Sequence, residues 1–227
     1  MFLRYLGHSC FTVSDGIHTV IFDPFLTGNP DAALGPDDVA ADAVLPSHGH
    51  GDHLGDTIAI ARRLDIPVVC IHELAGWCSR QGVEAVGMSI GGSCEFPFGR
   101  LKLTLALHGS GVAGPDGAFE YVGPPCGLIL TMGGRTLYFA GDTALFSDMR
   151  LIGDEGVDIA LLPIGDHYTM GIDDAVRAVE LLRPRVVVPM HYNAFDAIRK
   201  DPAVFAAKVA KLGVDCRVMA PGEQTEV

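Results

Sequence analysis

The sequence predicts an α/β (α+β) fold in which two mixed sheets are covered by helices on both sides, a four-layer αββα sandwich. Two observations lead to this prediction. The chain opens with short runs of β-forming residues separated by turns, and strand-like runs then alternate with segments of helical periodicity in both halves. Periodicity alone does not separate this layering from other α/β arrangements.

The first half supplies the opening strands and two strand-helix units. Asp15-Gly16 is a hairpin signal between two β runs, and the stretch from Leu26 to Asp42 is rich in Gly, Pro, Asp and Ala, which predicts a loop. We also interpret SHGHGDHLGD as a loop. The predicted elements are strands in FLRYLG, CFTVSDG, HTVIFDPF and DAVLPS, a helix in TIAIARRLD, a strand in PVVCI, a helix in HELAGWCSRQ and a strand in RLKLTLALHG.

The second half repeats the alternation. CGLILTM and RTLYFAGD form a second predicted hairpin, joined at Gly133-Gly134. The helix in IDDAVRAVELL should end just before Arg183-Pro184, because proline cannot continue the helical pattern. The other predicted elements are strands in VDIALLPIG and RVVVPMH and a last helix from about Pro202 to Leu212, which leads into CRVMA.

Length and composition predict one domain. A chain of 227 residues that is 48% apolar can bury a substantial core without disulfides, and no linker or low-complexity tract divides it. We therefore expect residues 1–227 to form a single domain. The six cysteines are scattered and contain no C-x-x-C pair, which predicts reduced and largely buried thiols.

Charge narrows the range of partners. The balance of 16 basic and 28 acidic residues gives 16 − 28 = −12, which opposes contact with nucleic acid or an anionic membrane surface. The start MFLRYLGHSC lacks the pattern of a signal peptide, and no apolar run reaches membrane-spanning length. We expect a cytoplasmic protein with a small-molecule substrate and no nucleic-acid or membrane partner.

A dense cluster of potential metal ligands follows the predicted strand DAVLPS. Four of them, His48, His50, Asp52 and His53, fall within six residues and are spaced by glycines, which let the backbone turn tightly. Four such groups would crowd one another without partners, because each desolvated imidazole needs one. The cluster therefore predicts a metal site rather than a set of turn caps.

Three further candidates also stand at the ends of apolar strands: His108, Asp142 and His191. A lone histidine at a strand end is more often solvated or hydrogen-bonded than a ligand. Strand ends of one sheet system can meet at one rim, however, and the cluster around His48 supplies partners there. Together the seven residues predict one site.

These motifs resemble a known family. H-x-H-x-D-H followed by separate His, Asp and His resembles the metallo-β-lactamase superfamily of binuclear metallohydrolases, and implies the metallo-β-lactamase fold. LGHSCF, DPFLTGNP, GDTALF, PIGDHYTMG and PMHYNAF resemble one branch of it, small single-domain metal-dependent hydrolases similar to L-ascorbate-6-phosphate lactonase-like proteins. The resemblance runs over nearly the whole chain.

The resemblance implies how the ligands divide. His48, His50 and His108 would hold one ion, Asp52, His53 and His191 the other, and Asp142 would bridge the two. Imidazole and carboxylate suit Zn²⁺, with Mn²⁺, Ni²⁺ or Fe²⁺ as substitutes. Paired ions about 3.5 to 4 Å apart lower the pKa of bound water from roughly 15.7 to about 7, so the expected nucleophile is metal-bound hydroxide.

Four residues carry further expectations. Asp52 is expected to be a ligand first and a partial proton acceptor second. His8 and His167 lie in segments that resemble the rim of the family's site, and either could orient the substrate or stabilise the leaving group. Asp23 follows a strand and either supports a ligating histidine or caps the turn before Pro24.

Several alternatives stay open at this point. A phosphodiesterase or nuclease of the same fold is disfavoured by the acidic balance. Family members that use iron for oxygen chemistry typically carry an acidic residue where this chain has His50, so hydrolysis is favoured, with a mononuclear iron dioxygenase as a rival. A non-catalytic metal-binding protein is the alternative from another class. The apolar composition and the family likeness also suggest a homo-oligomer.

Overall fold

Two seven-stranded sheets form the centre of the molecule in the computed structural model, which describes residues 1–227. The first sheet contains β1 (Phe2–Gly7), β2 (Cys10–Ser14), β3 (Thr19–Phe22), β4 (Ala43–Leu45), β5 (Val68–Ile71), β6 (Ala85–Met88) and β16 (Gln224–Glu226). The second contains β7 (Ser93–Phe96), β8 (Gly99–Leu105), β11 (Cys126–Met132), β12 (Arg135–Phe139), β13 (Ile159–Pro163), β14 (Val186–Met190) and β15 (Asp215–Cys216). A small ribbon pairs β9 (Val112–Ala113) with β10 (Phe119–Glu120).

Both sheets are mixed, as the sequence predicts. The first has the order β16-β1-β2-β3-β4-β5-β6, antiparallel from β16 to β3 and parallel from β3 to β6. The second has the order β15-β14-β13-β12-β11-β8-β7, parallel from β15 to β12 and antiparallel beyond. Since parallel strands point the same way, their carboxyl ends collect at one edge of each sheet.

Both predicted hairpins are present. Asp15 accepts hydrogen bonds from the backbone of Ile17 and His18 in the turn between β2 and β3. Gly133 and Gly134 join β11 to β12 with φ angles of 56° and 74°, a two-residue connection that requires positive φ at both positions. These turns follow from short-range chemistry, which is why the sequence predicts them.

Helices lie outside the two sheets, so the four-layer prediction is confirmed. The helices are α1 (Gly51–Leu54), α2 (Thr57–Leu64), α3 (His72–Arg80), α4 (Met149–Gly153), α5 (Ile172–Leu182) and α6 (Pro202–Val209), with 3₁₀ turns at Pro36–Asp38, Asp196–Ile198 and Ala210–Leu212. Helices α2 and α3 pack on the first sheet, and α5 and α6 on the second. Helix α5 buries Ala175, Ala178, Val179 and Leu182, one helical face, and ends before Arg183 as predicted.

The core lies between the sheets. Phe22 of β3 and Phe139 of β12 stack across the interface, with ring centroids 4.9 Å apart. One cluster of 58 buried residues includes strands from both sheets, and the expectation of a single domain stays a prediction that this continuity favours. None of the helices combines the length and apolar character needed to cross a bilayer.

Some local predictions differ from the structure. The segment interpreted as a loop at SHGHGDHLGD contains one helical turn, α1, because the backbone N–H of Leu54 donates to the carbonyl of His50. After the last helix the chain forms only the short strand Asp215–Cys216. Four of the six cysteines are buried, as expected, whereas Cys94 is exposed because β7 is the edge strand of its sheet.

Candidate metal centre

All seven predicted ligands lie together where the carboxyl ends of the central strands meet. His48 follows β4, and Asp52 and His53 are on helix α1 directly after it. His191 comes immediately after β14. His108 and Asp142 lie in the loops that follow β8 and β12. The face-to-face packing of the sheets therefore brings together residues that are up to 143 positions apart, from 48 to 191.

The first ligand group consists of His48, His50 and His108. Its ligating atoms all lie within 4.8 Å of one another. Nε2 of His48 is 2.9 Å from Nδ1 of His50, and the His108 ring lies edge-on to both rings at centroid distances of 5.3 and 5.2 Å. His48 is fully buried and the other two are half-buried. Three imidazoles thus converge on one small volume that opens to solvent on one side.

The second ligand group consists of Asp52, His53 and His191. Oδ2 of Asp52 is 3.8 Å from Nε2 of His53 and 3.8 Å from Nε2 of His191. Both histidines are buried, whereas 30% of the Asp52 side chain is exposed. This group is deeper than the first and reaches solvent through its carboxylate.

Asp142 lies between the two groups. Its Oδ2 is 3.4 Å from Nε2 of His108 and 3.1 Å from Nε2 of His191, one histidine from each group. Its Oδ1 is 3.3 Å from Nε2 of His53. Four ligands about 2.0 to 2.1 Å from a tetrahedral Zn²⁺ ion lie about 3.3 Å from one another. The Asp142 carboxylate therefore lies at ligand-to-ligand spacing from a histidine of each group.

Several buried atoms of this cluster have no hydrogen-bond partner. They include Nε2 of His53, Nε2 of His191 and Oδ1 of Asp142. A buried polar atom without a partner destabilises a fold by about 1 to 3 kcal/mol, so such atoms are rare. Lone pairs aimed at a common volume are satisfied together by a cation. The donor set, imidazole and carboxylate, fits a divalent ion of the zinc type.

Asp23 supports the cluster from behind. Its Oδ2 is 2.6 Å from Nδ1 of His53, and it accepts hydrogen bonds from the backbone N–H and the hydroxyl of Ser47 at 2.6 and 2.7 Å. Of the two roles considered for Asp23, support of a histidine is confirmed by this contact. A carboxylate on Nδ1 fixes the tautomer that leaves Nε2 free as a ligand.

Ser47 is a site residue that the sequence analysis does not identify. Its hydroxyl donates to Asp23 and lies 3.0 Å from Nδ1 of His48, so it connects the carboxylate to a histidine of the first group. If Nδ1 of His48 donates to the Ser47 oxygen, Nε2 keeps its lone pair for a ligand role. The only signal in the sequence is a hydroxyl residue directly before the first histidine, which is too common to interpret.

Burial favours the neutral form of the three histidines in the first ligand group. Burial lowers the pKa of His48 well below its usual value, and burial also lowers the pKa of His50 and His108. Although burial lowers it, the carboxylates of Asp142 and Asp23 raise the pKa of His53 well above the usual value. A neutral imidazole is the form that binds a metal, so the first group is ready to ligate at neutral pH.

The two carboxylates are ionised. Burial raises the pKa of Asp142, but the facing His53 and His191 hold it well below the usual range. Burial likewise raises the pKa of Asp52, and the hydrogen bond from His8 and the charge of His53 lower it by more. Negative charge is thus concentrated in the second group and at the position between the groups, which attracts cations.

The backbone at the site is unusual. His8, Asp23 and His191 have φ angles of 56°, 39° and 55°, in the left-handed region that non-glycine residues rarely adopt. Gly141, next to Asp142, has φ of 59°, and a Cβ there would lie 2.9 Å from Cβ of Ser47. A Cβ on Gly49 would lie 2.5 Å from the Val122 side chain. Such conformations cluster at functional sites, where the surrounding structure holds them in place.

His8 lies under the second group. Its side chain is fully buried, its Nε2 is 3.3 Å from Oδ2 of Asp52, and its ring packs against His191 at a centroid distance of 4.2 Å. Direct contact with substrate, the role suggested by the sequence, does not fit a side chain without solvent exposure. The hydrogen bond to Asp52 indicates a positioning role instead.

His167 lies apart from the ligands. It is exposed, with φ of 50°, and its ring packs edge-on against Tyr168 at 4.4 Å. The structure does not place it on the wall of the cleft, so its role in substrate contact stays a prediction. Its neighbour Tyr168 does line the cleft.

A cleft of about 510 Å³ opens over the two ligand groups. This volume falls in the range of small-molecule sites. Phe195 and Ala197 line it and were not singled out from the sequence, where the only signal is an aromatic residue shortly after His191. The residues that line the cleft are His50, Asp52, His108, Asp142, Tyr168, His191, Phe195 and Ala197.

Comparison with known proteins agrees with this geometry. The family model described as "Beta-lactamase superfamily domain" matches residues 18–192. A UPF0173 metal-dependent hydrolase of Pelotomaculum thermopropionicum is 48% identical over 229 residues, which cover 100% of both chains. A UPF0173 metal-dependent hydrolase of Thermus thermophilus is 50% identical over 221 residues, which cover 97% of this chain and 96% of the relative.

A solved structure is similar over the same span. Igni18, described as a novel metallo hydrolase from the hyperthermophilic archaeon Ignicoccus hospitalis, has a TM-score of 0.90 and 40% sequence identity to this chain. The alignment covers 100% of this chain and 98% of that one. The similarity includes the strand ends and loops that carry the ligand groups.

Proposed function

This chain belongs to the beta-lactamase superfamily, and from that premise we propose that it is a metal-dependent hydrolase with a two-ion site. Its substrate would be a small-molecule ester, lactone or phosphate-containing compound. The observation that carries the two-ion proposal is the position of Asp142, whose Oδ2 lies 3.4 Å from His108 and 3.1 Å from His191. A site for one ion would not need a carboxylate between two complete ligand groups.

The residues divide between two ions. His48, His50 and His108 would hold one ion, Asp52, His53 and His191 the other, and Asp142 would contact both. Zn²⁺ suits these donors, with Mn²⁺, Ni²⁺ or Fe²⁺ as substitutes. When bound, such ions supply Lewis-acid activation of water and of the substrate oxygen at neutral pH.

The chain's own residues orient the reaction. Asp52 is the partly exposed carboxylate that lines the cleft, so it would serve mainly as a metal ligand and secondarily as a partial acceptor of a proton from water. His8 holds that carboxylate from below through Nε2, since it faces Asp52 and not the cleft. Asp23 keeps His53 in the tautomer that presents Nε2.

Metal content per chain tests the proposal. We expect close to two ions per chain in protein purified without chelator, measured by plasma mass spectrometry, and a loss in the His48→Ala and Asp142→Ala variants. His18→Ala and Asp173→Ala are matched controls, because His18 lies at the opposite end of β3 and Asp173 is exposed on α5. One ion per chain, or equal content in all variants, would contradict the two-ion site.

Activity is tested separately. Zinc-loaded protein should hydrolyse members of a panel of simple esters and lactones, and chelation should remove the activity. Bound metal without turnover on any ester, lactone, thioester or phosphodiester would instead favour a metal-binding protein that is not an enzyme.

A further inference from the structure

The walls of the cleft above the ligand groups are aromatic. Tyr168 and Phe195 both line the cleft. Both rings are accessible, with 56% of Tyr168 and 38% of Phe195 exposed. On the side of the first group, the Phe119 ring lies edge-on to His50 at 6.4 Å and is 68% exposed. Exposed large apolar side chains beside a cleft are typical of surfaces that bind an apolar ligand.

The position of Phe195 is supported from behind. Its ring packs on the buried ring of His8 at 5.5 Å and on Phe25 at 6.2 Å. A side chain that is packed on one face and open on the other provides a rigid surface for a substrate group. This arrangement therefore distinguishes Phe195 from an apolar residue that is exposed without function.

The lysine and arginine side chains that follow Phe195 in the chain are paired with carboxylates. Lys200 is 3.0 Å from Oδ2 of Asp166, and Arg199 is 2.8 Å from Oδ1 of Asp196. None of the residues that line the cleft is a lysine or an arginine. Near Phe119, Arg80 is paired with Glu120. A carboxylate or phosphate on the substrate, away from the metal ions, would therefore find no free cation and would lose part of its hydration.

We propose that the part of the substrate remote from the scissile bond is uncharged and apolar, an aryl or alkyl group that packs against Phe195 and Tyr168. This inference rests on the proposed hydrolase function and narrows its substrate class. It selects against sugar phosphates and other substrates with a remote anionic group. The polar end of the substrate, an ester or lactone carbonyl, faces the ligand groups.

The reaction to be measured is the hydrolysis of an aryl ester. The oxygen of water forms a bond to the acyl carbon, and the bond from that carbon to the aryl oxygen breaks. One proton of the water goes to the aryl oxygen, which leaves as a phenol, and the other is released from the new carboxylic acid. No oxidant or other co-reactant is needed.

A matched substrate pair isolates the remote charge. Phenyl acetate and 4-acetoxybenzoate have the same scissile bond, and only the second carries a carboxylate away from it. For each ester, kcat/KM with zinc-loaded protein is divided by the rate constant for hydrolysis by hydroxide without protein. This ratio corrects for the different reactivity of the two leaving groups. We expect the neutral ester to be preferred by about tenfold, and the opposite preference would overturn the inference.

Charge-changing variants locate the preference. Tyr168→Lys and Phe195→Lys place a cation in the wall and should reduce the preference about threefold to fivefold, the size of a partly exposed ion pair. Ile17→Lys adds the same charge to the exposed turn before β3. This turn is at the end of β3 opposite to Asp23 and the ligand groups, so the variant should leave the preference unchanged. An equal reduction in all three variants would show a general charge effect and would contradict a role for the wall.

An equilibrium measurement separates this inference from the proposed function. Calorimetric titration compares acetanilide with 4-acetamidobenzoate, amides that keep the shapes of the two esters. If neither ester is hydrolysed but acetanilide binds tighter by about tenfold, the hydrolase proposal for esters fails and the inference about the cleft holds. If the esters are hydrolysed and 4-acetamidobenzoate binds tighter, the hydrolase proposal holds and the inference about the cleft fails.

Discussion

The two ligand groups share Asp142 but differ in the charge around them. The second group contains Asp52, and Asp23 lies 2.6 Å behind its His53. The first group consists of three imidazoles and contains no carboxylate of its own, although the shared Asp142 and the Ser47 hydroxyl lie beside it and Asp23 approaches His48 within 4.8 Å. The first group is also the more exposed, because His50 and His108 are half-buried. The second ligand group is thus rich in negative charge and the first is mostly neutral. If each group holds an ion, as proposed, the group of His48, His50 and His108 should bind its ion more weakly.

Removing the shared ligand should have the largest effect. Asp142→Ala would take a ligand from both proposed ions and would leave the buried Nε2 atoms of His53 and His191 facing a neutral side chain. We expect fewer than one ion per chain and a loss of hydrolysis greater than about 100-fold. Mutation of a residue that only hydrogen-bonds a metal ligand already lowers metal affinity or activity by about 10 to 100-fold. Metal analysis and ester hydrolysis on the same preparation measure both, and a variant that keeps two ions would contradict the bridging position.

Graded chelation should separate the two groups. As chelator is added, the first ion to leave should come from the group of His48, His50 and His108, with an affinity about 10 to 100-fold weaker. His50→Ala should therefore retain close to one ion per chain after dialysis that leaves the wild type with two. His191→Ala should lose the tighter ion, and equal retention by these two variants would remove the proposed difference.

Asp23→Asn tests the charge behind the second group. The amide keeps the size of the side chain but removes the negative charge that faces Nδ1 of His53. We expect the affinity of the tighter ion to fall about 10-fold or more, measured by competition with a coloured chelator. Asp42→Asn is the control, because Asp42 accepts a hydrogen bond from Thr19 at the other end of β3. An equal loss in the control would indicate a general effect on β3.

The smallest expected effect is that of His8 on the pH dependence of the free energy of unfolding. Burial lowers the pKa of His8 to about 4 in the folded protein, against 6.5 for the free group. Between those values the unfolded chain binds the proton and the folded chain does not. The contribution of neutral, buried His8 to the free energy of unfolding is therefore complete above pH 6.5 and is lost as the pH falls toward 4.

A variant isolates this contribution. His8→Gln should make the loss of unfolding free energy shallower by up to about 1 kcal/mol for each pH unit in that window. Denaturant unfolding of the metal-free wild type and variant, from pH 4 to 7, measures it. If the two curves stay parallel, His8 is not buried in its neutral form.

The sequence predicts a large part of this protein because the signals are local. Alternation of strands and helices predicts the two mixed sheets, and the glycine pairs predict the hairpins. The cluster from His48 to His53 is dense enough to predict a metal site, and the resemblance extends it to the other three ligands. Helix α4 and the strand β16 are short and carry weak patterns, so their positions are decided by packing.

Other features were decided only by the tertiary structure. The contact of Asp23 with His53, the link through Ser47 and the burial of His8 under Asp52 all join segments that are distant in the chain or side chains whose direction the sequence does not give. The paired state of Lys200 and the aromatic wall at Phe195 depend on loop shape. The residue types at a site are set by composition and spacing, but the distances and exposures that give them roles arise only when the two sheets pack together.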